Sequence, residues 1–485
     1  MPVVQSARRL ARFAKILDVQ QWTLKQTAES YTGRLGKRYT KAYHDIVGNG
    51  GPVRHQDTFI KAFVKAEKFN PGQKPSKPRL VFGRDPRYNL EICSYLKPLE
   101  HALWHRLKGG RKWGVKPTRV IGKGLSPWAR AQLISEKWAS RTDWVCFEVD
   151  GSSWEAHMAT WQLSGLEHPI YLAAYNGDKR LAKLLSWQLV NRGSTPSGIR
   201  FSREGGKCSG DYNTGLGNSL VMFTVVEATL LSIREELGEF AFDMLVDGDN
   251  AILWIPAQVV VEVRNRFFDV ALKLSGHEIV LENAVTSLEQ TVFGQSKPVL
   301  SARGLTMCRS PYKILSNSFS SYKHLKDLSF GRRVLRSVAE GEYALGKGIP
   351  VVGKFCYLAL ESLANEVPVG YDMLQEFISP FAASEARLPE FYGFRRHLSS
   401  VRARRKREAM ASRPLPEFIE PTTEARVAFE VAFGISADEQ RAIERKLVGL
   451  VCFPNDWGPQ VRDVFDIRQL DDFDDTCWWD SLPDA

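Results

Sequence analysis

Residues 218–237 are apolar almost all round: Leu220, Val221, Met222, Phe223, Val225, Val226, Leu230, Leu231 and Ile233 cover every face of a helix. A helix with no polar side has to be enclosed by protein, so this segment predicts a core helix under a sheet. Strands follow at once. Residues 242–246 and 251–255 are short β-like runs, joined by the tight turn Asp247-Gly248-Asp249-Asn250. Upstream, Trp144-Val145-Cys146-Phe147-Glu148-Val149 reads as another strand and ends on Asp150. The pattern therefore predicts an α+β fold with carboxylates at strand ends.

The rest of the chain bounds what surrounds this unit. At 485 residues it can bury a large core, as two to three domains or one multi-lobed enzyme, and a small binding module is excluded. Lys and Arg outnumber Asp and Glu by 66 to 55, a formal charge of +11 that favours a polyanionic partner. The seven cysteines are scattered, with no Cys-x-x-Cys pair and no His at zinc spacing, and read as reduced, buried residues of a cytosolic protein. No apolar run approaches about 18 residues, so no transmembrane segment is expected and the chain reads as soluble. Residues 3–17 carry Arg8, Arg9, Arg12 and Lys15 beside Leu10, Phe13, Ile16 and Leu17. This basic amphipathic helix either packs on its own domain or lies on a membrane or RNA.

There is no internal repeat. Residues 47–56 read as a loop and 69–78, with three prolines among lysines, as a linker. Residues 160–189 show two helical stretches broken near Asn176-Gly177-Asp178, and 192–217 form a Gly- and Ser-rich loop before the core helix. After Met307 the pattern is mainly helical, with a basic cluster at 395–407 that includes Arg402, Arg404, Arg405, Lys406 and Arg407; beyond Val461 the chain turns acidic.

Nucleotide transfer by two metals needs carboxylates on adjacent rigid elements, so that two ions about 4 Å apart clamp the attacking and leaving oxygens. Asp150 and Asp249 supply this if their strands are neighbours. Either acid alone is weak evidence, since Asp-Gly is a common turn. Their order and context are not. Phe147-Glu148-Val149-Asp150-Gly151-Ser152-Ser153-Trp154-Glu155-Ala156-His157, then Ser209-Gly210-Asp211-Tyr212-Asn213-Thr214-Gly215-Leu216-Gly217-Asn218, then Val246-Asp247-Gly248-Asp249-Asn250 resemble polymerase motifs A, B and C of positive-strand RNA viruses. The second run is the most specific and resembles the tombusvirus-type replicases. Lys77-Pro78-Arg79-Leu80 and Arg84-Asp85-Pro86-Arg87, with the segment 59–68, resemble basic motif F; Phe293-Gly294-Gln295-Ser296-Lys297-Pro298 resembles motif E; Met307-Cys308-Arg309-Ser310-Pro311 and Ala432-Phe433-Gly434-Ile435 resemble thumb segments. The resemblance covers about residues 31–450.

That resemblance implies a right-hand polymerase with a mostly helical thumb: 1–142 as N-terminal region and fingers, 143–157 as palm, 158–208 as fingers, 209–300 as palm, 301–450 as thumb, and 451–485 as acidic tail. It implies RNA-directed RNA polymerase activity on a viral genome, with two Mg²⁺ or Mn²⁺ ions on Asp150 and Asp249. Glu155 and Asn218 would test the ribose 2′-hydroxyl. Ser209 and Thr214 would position template and nucleotide, and Lys65, Arg79 and Arg84 would bind the triphosphate, with Lys77 and Arg87 as weaker candidates. Partners would be template and product RNA, ribonucleoside triphosphates, and other viral replication proteins or host membranes. The expected location is host cytoplasm, in membrane-associated replication complexes reached through a partner or the basic N-terminal helix.

Three positions depart from the family. Asn250 stands where most members have a second Asp, and Glu155 where they have Asp. Val280 falls where a motif D lysine is usual, leaving Lys273 and His277 as possible general acids. The turn Gly-Asp-Asn is similar to that of active negative-strand virus polymerases. Together the departures keep an alternative open, a catalytically impaired homologue that binds RNA or organises a replication complex. Reverse transcriptase and a capsid-like protein are the other rivals.

Overall fold

Residues 144–149 alternate poorly and are apolar but for Glu148, which suits a strand covered on both faces. In the computed structural model, which describes residues 1–48, 50–65, 78–319, 327–369, 381–382, 386 and 414–450, they open a central strand. Residues 69–77 of the expected linker, Lys77 included, the basic cluster at 395–407 and the acidic tail beyond Val461 lie outside the described residues. The chain divides into two compact units, residues 1–31, 39–66 and 77–298 in the first and 32–38, 67–76 and 299–485 in the second.

The first unit holds two sheets. β1 (Ile60–Val64), β2 (Leu80–Gly83), β4 (Val190–Ser194) and β5 (Arg200–Glu204) form one, in the order β2-β1-β4-β5. The other is antiparallel, in the order β6-β7-β3-β8, from β3 (Trp144–Gly151), β6 (Asp243–Asp247), β7 (Asn250–Pro256) and β8 (Ile279–Val285). Helices α1 (Pro2–Ile16), α2 (Pro86–Arg106), α3 (Pro127–Trp138), α4 (His168–Ala174), α5 (Thr214–Leu237) and α6 (Val260–Ser275) surround them. The expected break near Asn176-Gly177 is present as two left-handed residues, φ 49° and 75°, ending α4.

α5 is the predicted core helix, with Leu220, Val221, Met222, Val225, Val226, Leu230 and Ile233 all buried. By length and hydropathy it would cross a membrane, contrary to the expectation that no segment approaches that limit. Its surface is instead spent on protein: α1, α6 and β6 pack on it, and 89% of its most apolar window is buried.

A buried acid interrupts its apolar stretch. Glu227 accepts hydrogen bonds from Ser6 and Arg9 of α1 and from the Trp113 indole, the last two at 2.8 and 3.2 Å. These bonds, with Val3, Ala7, Leu10 and Ala14 buried, dock α1 on its own unit. Of the two readings of residues 3–17, this is the packing on its own domain, with the apolar stripe that a membrane surface would need already covered.

β9 (Ser296–Ser301), which begins just before residue 299, pairs with β10 (Gly304–Arg309), and the second unit goes on with α7 (Leu328–Gly346), α8 (Val352–Ser362), α9 (Thr423–Phe433) and α10 (Ala437–Leu450). Val334, Val338, Tyr343, Cys356, Leu360 and Phe429 share its core. All five cysteines among the described residues are free and buried.

Candidate active site

β3 delivers Asp150 to the edge of the core: Val149 is buried and pairs with Ala251, while Asp150 is exposed and pairs with Val280 on β8. On the other flank, Asp247 pairs with Asn250 to close a two-residue turn, with Gly248 at φ 74° in its first central position. That is the pattern of a type II′ turn, where glycine avoids the cost of a left-handed backbone. The turn is held from below, since Gly248 N–H donates to Ser219 Oγ of α5 at 2.8 Å. Asp150 and Asp249 therefore sit at one end of adjacent strands.

The two carboxylates lie within electrostatic reach of each other. Burial raises the Asp249 carboxyl above its ordinary range, Glu155 and Asp150 add repulsion, and Lys123 partly offsets them. Three acids within electrostatic reach on rigid elements favour a cation, so the donor set fits a divalent metal. Among the described residues no three of His, Cys, Asp and Glu converge as an enclosing cage. Two carboxylates completed by phosphates and water suit Mg²⁺. Asn250, exposed, donates its amide to Asp249 Oδ1 at 3.3 Å.

Glu155 and Asn218 meet as anticipated, the Asn218 amide donating to Glu155 Oε1 at 3.0 Å, with Asn218 Oδ1 left without a partner. Ser209 and Gly210 are fastened to β2, Phe82 N–H donating to Ser209 Oγ at 3.2 Å and Gly210 N–H to Phe82 O at 3.0 Å. Thr214 donates its hydroxyl to Cys208 O and Asp211 O, bracing the loop. Beneath it, buried Glu167 accepts from Lys207 and from Asn213 at 2.7 Å.

The basic candidates separate. Lys65 and Arg79 are exposed where the β1–β2 pairing ends, Lys65 N–H donating to Arg79 O at 2.8 Å. Arg84 is corrected: it is 3% exposed, and its guanidinium is spent on Asp211 at 2.5 Å, Thr58 O and Asn191. No edge faces outward to a phosphate. Arg87 likewise serves structure, pairing with Asp45, with Asp57 at 3.5 Å and with loop carbonyls.

Of the two possible general acids, Lys273 is exposed on the last turn of α6. His277 is corrected, because it is 1% exposed and burial holds its imidazole down at about 4, so near neutral pH it is uncharged and lacks the acidic imidazolium proton.

Two residues beside the turn escape sequence reasoning. The segment through Ile121 runs parallel to β6, with Gly122 N–H donating to Val246 O at 2.8 Å, and carries Lys123 to the turn. Lys123 and Arg130 each lie 2.6 Å from Asp247. Asp247 is thus neutralised, while Asp249 stays open. Their partner is over a hundred positions away, and the only local hint is a lysine flanked by Gly122 and Gly124.

Lys123 also faces Glu100, whose carboxyl burial lifts to about 7 against Tyr212, Lys123 and Lys97. A raised carboxyl binds more protons folded than unfolded, so its contribution to stability falls as pH rises from the ordinary carboxylate range through 7. Glu100→Gln should therefore lose less stability between about pH 5 and 8 than the parent, read from urea midpoints. An unchanged slope refutes this.

An antiparallel sheet bearing paired acids at one end over a core helix is the arrangement of a polymerase palm. The sequence model described as viral RNA dependent RNA polymerase matches residues 3–451, and the chain belongs to that family. Membership implies the right-hand polymerase fold, and the match reaches back into α1, beyond the expected start near residue 31. The chain is 30% identical over 457 residues to the RNA-directed RNA polymerase of Tobacco necrosis virus (strain D), across 91% of this chain and 57% of the relative. With that of Maize chlorotic mottle virus it shares 31% over 420 residues, 85% of this chain and 39% of the relative. With that of Tomato bushy stunt virus (strain Cherry) the values are 29% over 422 residues, 86% and 46%. The chain thus spans about half the length of the curated relatives it matches.

Proposed function

We propose that this chain is a template-directed RNA polymerase of a viral genome, joining ribonucleotides to an RNA 3′-hydroxyl with release of pyrophosphate. The observation that carries it is the pairing of strands that sets Asp150 beside the Asp249 turn, with the Glu155–Asn218 hydrogen bond alongside. Asp150 and Asp249 would hold two Mg²⁺ or Mn²⁺ ions. When bound, such ions activate the attacking oxygen and stabilise charge on the leaving phosphates.

The chain's own groups do the rest. Glu155, half-buried and held by the Asn218 amide, recognises the ribose 2′-hydroxyl, and a 2′-deoxy nucleotide leaves that hydrogen-bonding capacity unused. Lys65 and Arg79 take the triphosphate, Ser209 and Thr214 shape the loop that meets template and nucleotide, and Lys273 is the remaining candidate proton donor. Residues 301–450 serve as the thumb. The partners are template and product RNA and nucleotides, with other viral replication proteins or host membranes engaged through a partner in the cytoplasm.

Primer extension by the purified protein tests this. Metal-dependent incorporation of ribonucleotides over deoxyribonucleotides is expected, and RNA binding without extension would favour the catalytically impaired reading, which Asn250 motivates. Asn250 also removes one carboxylate from the turn, and Mg²⁺ is stricter than softer, larger ions about charged oxygen ligands and octahedral geometry. Extension should be faster in Mn²⁺ than in Mg²⁺ across a metal titration. Equal or better activity in Mg²⁺ overturns that expectation.

A further inference from the structure

Trp154 and His277 come from distant parts of the chain and lie stacked, ring centroids 4.0 Å apart and planes 12° from parallel. Each is 1% exposed. Two backbone devices bring them together. Gly276, at φ 76°, ends α6 and turns the chain into β8. β8 then pairs with β3 at Asp150–Val280 and Gly151–Ile279, and the ladder continues past the strand as Ser152 N–H donates to Glu278 O at 3.0 Å. Ser153, at φ 47°, folds the chain back, so that Trp154 is buried while Glu155 reaches Asn218. There is no slack in this corner: a Cβ on Gly151 would lie 2.6 Å from Trp154 Cε3.

No polar contact explains the stack. The Trp154 indole nitrogen and both His277 ring nitrogens have no hydrogen-bond partner, and His277 is not needed as an acid. What the pair does is geometric: it fixes the height of the turn whose next residue is Glu155. A glutamate has one more rotatable bond than an aspartate, so its carboxylate meets Asn218 reproducibly only if its backbone is held. The backbone is held on one side by Lys207 N–H donating to Glu155 O at 2.8 Å, and on the other by this stack.

We propose that the Trp154–His277 stack is the positioning element of the sugar filter, so that His277 sets the preference for ribose over 2′-deoxyribose without touching the nucleotide. The inference rests on the reading of Glu155 and Asn218 as that filter. The test compares kcat/KM for a ribonucleotide and its 2′-deoxy analogue in the parent, His277→Ala, His277→Leu, His277→Phe and Glu155→Ala, with melting temperatures alongside.

His277→Ala and His277→Leu should lose about ten- to a hundredfold in the ribose-to-deoxyribose ratio, the scale of a small misplacement of a positioning group. His277→Phe, which keeps a stacked ring, should retain it. A purely structural role would lower melting temperature and both rates together and leave the ratio alone. Parental ratios in the Ala and Leu variants, with the ratio collapsed in Glu155→Ala, overturn the stack and leave the filter standing. An equal loss in His277→Phe also overturns it. An unchanged ratio in Glu155→Ala overturns the filter itself. Should the Ala variant fail to fold, the Leu and Phe pair decides the matter.

Discussion

Asp249→Ala should lower template-directed incorporation by about 10²–10³-fold or more, the scale of losing one preorganised electrostatic contact at the reacting centre. RNA binding and melting temperature should stay near the parent's. The separation follows from how the turn is built. Its shape is fixed by the Asp247–Asn250 pairing, by the left-handed Gly248 and by the bond from Gly248 N–H to Ser219, none of which uses the Asp249 side chain. Removing the carboxylate gives up the exposed Asn250 amide, a hydrogen bond to its own backbone and the attraction of Lys123, but it also relieves burial of a charge and repulsion from Glu155 and Asp150. A stability gain of a few tenths of a kcal/mol is the expected sign for losing a like-charge neighbour. Single-nucleotide incorporation in Mn²⁺ is the measurement, and a variant within tenfold of the parent would sink the assignment of Asp249 to the metals.

Arg84→Met carries the largest effect on stability. Its ion pair with Asp211 is buried on both sides, the side chains 1% and 3% exposed. Removing the cation leaves a carboxylate enclosed in protein, which costs about 3–5 kcal/mol. Burial already pushes the Asp211 carboxyl upward against Arg84, so the variant should take up a proton there. The double variant Arg84→Met/Asp211→Leu should recover a large part of the loss, since a buried pair is often replaceable by apolar groups. Denaturant midpoints decide it. A phosphate contact would behave differently, raising the nucleotide KM while leaving the midpoint where it was; that result would restore the role first expected of Arg84.

Arg84 also shows why sequence reasoning reached some residues and not others. The core helix, the central strand and the acidic turn were legible because each is local: nine apolar residues on one helix, an apolar run ending in Asp150, a turn with glycine in its strained position. Family resemblance then joined Asp150, Asn218 and Asp249, and the hydrogen bond from Asn218 to Glu155 agrees with it. What failed was deciding which charged side chains face solvent. Arg79 and Arg84 look alike in a basic stretch, yet one lies exposed where the strand pairing ends and the other is enclosed by Asp211 and Asn191. That difference is made by residues more than a hundred positions downstream. Lys123 and Arg130 were missed for the same reason, because only the folded sheet brings them to Asp247. His277 reads in the sequence as a possible general acid, but Trp154, more than a hundred positions upstream, covers it.

The grip of α1 on Glu227 has a consequence in the order of synthesis. Ser6 and its acceptor are 221 positions apart, so at about 5–20 residues per second the helix waits roughly 10–45 s on the ribosome for the surface it will occupy. Over that interval its apolar stripe is open to whatever lies nearby. A chaperone or a bilayer would meet that stripe only as the chain is being made, and the finished protein leaves it buried, with Arg8 and Arg12 still facing outward.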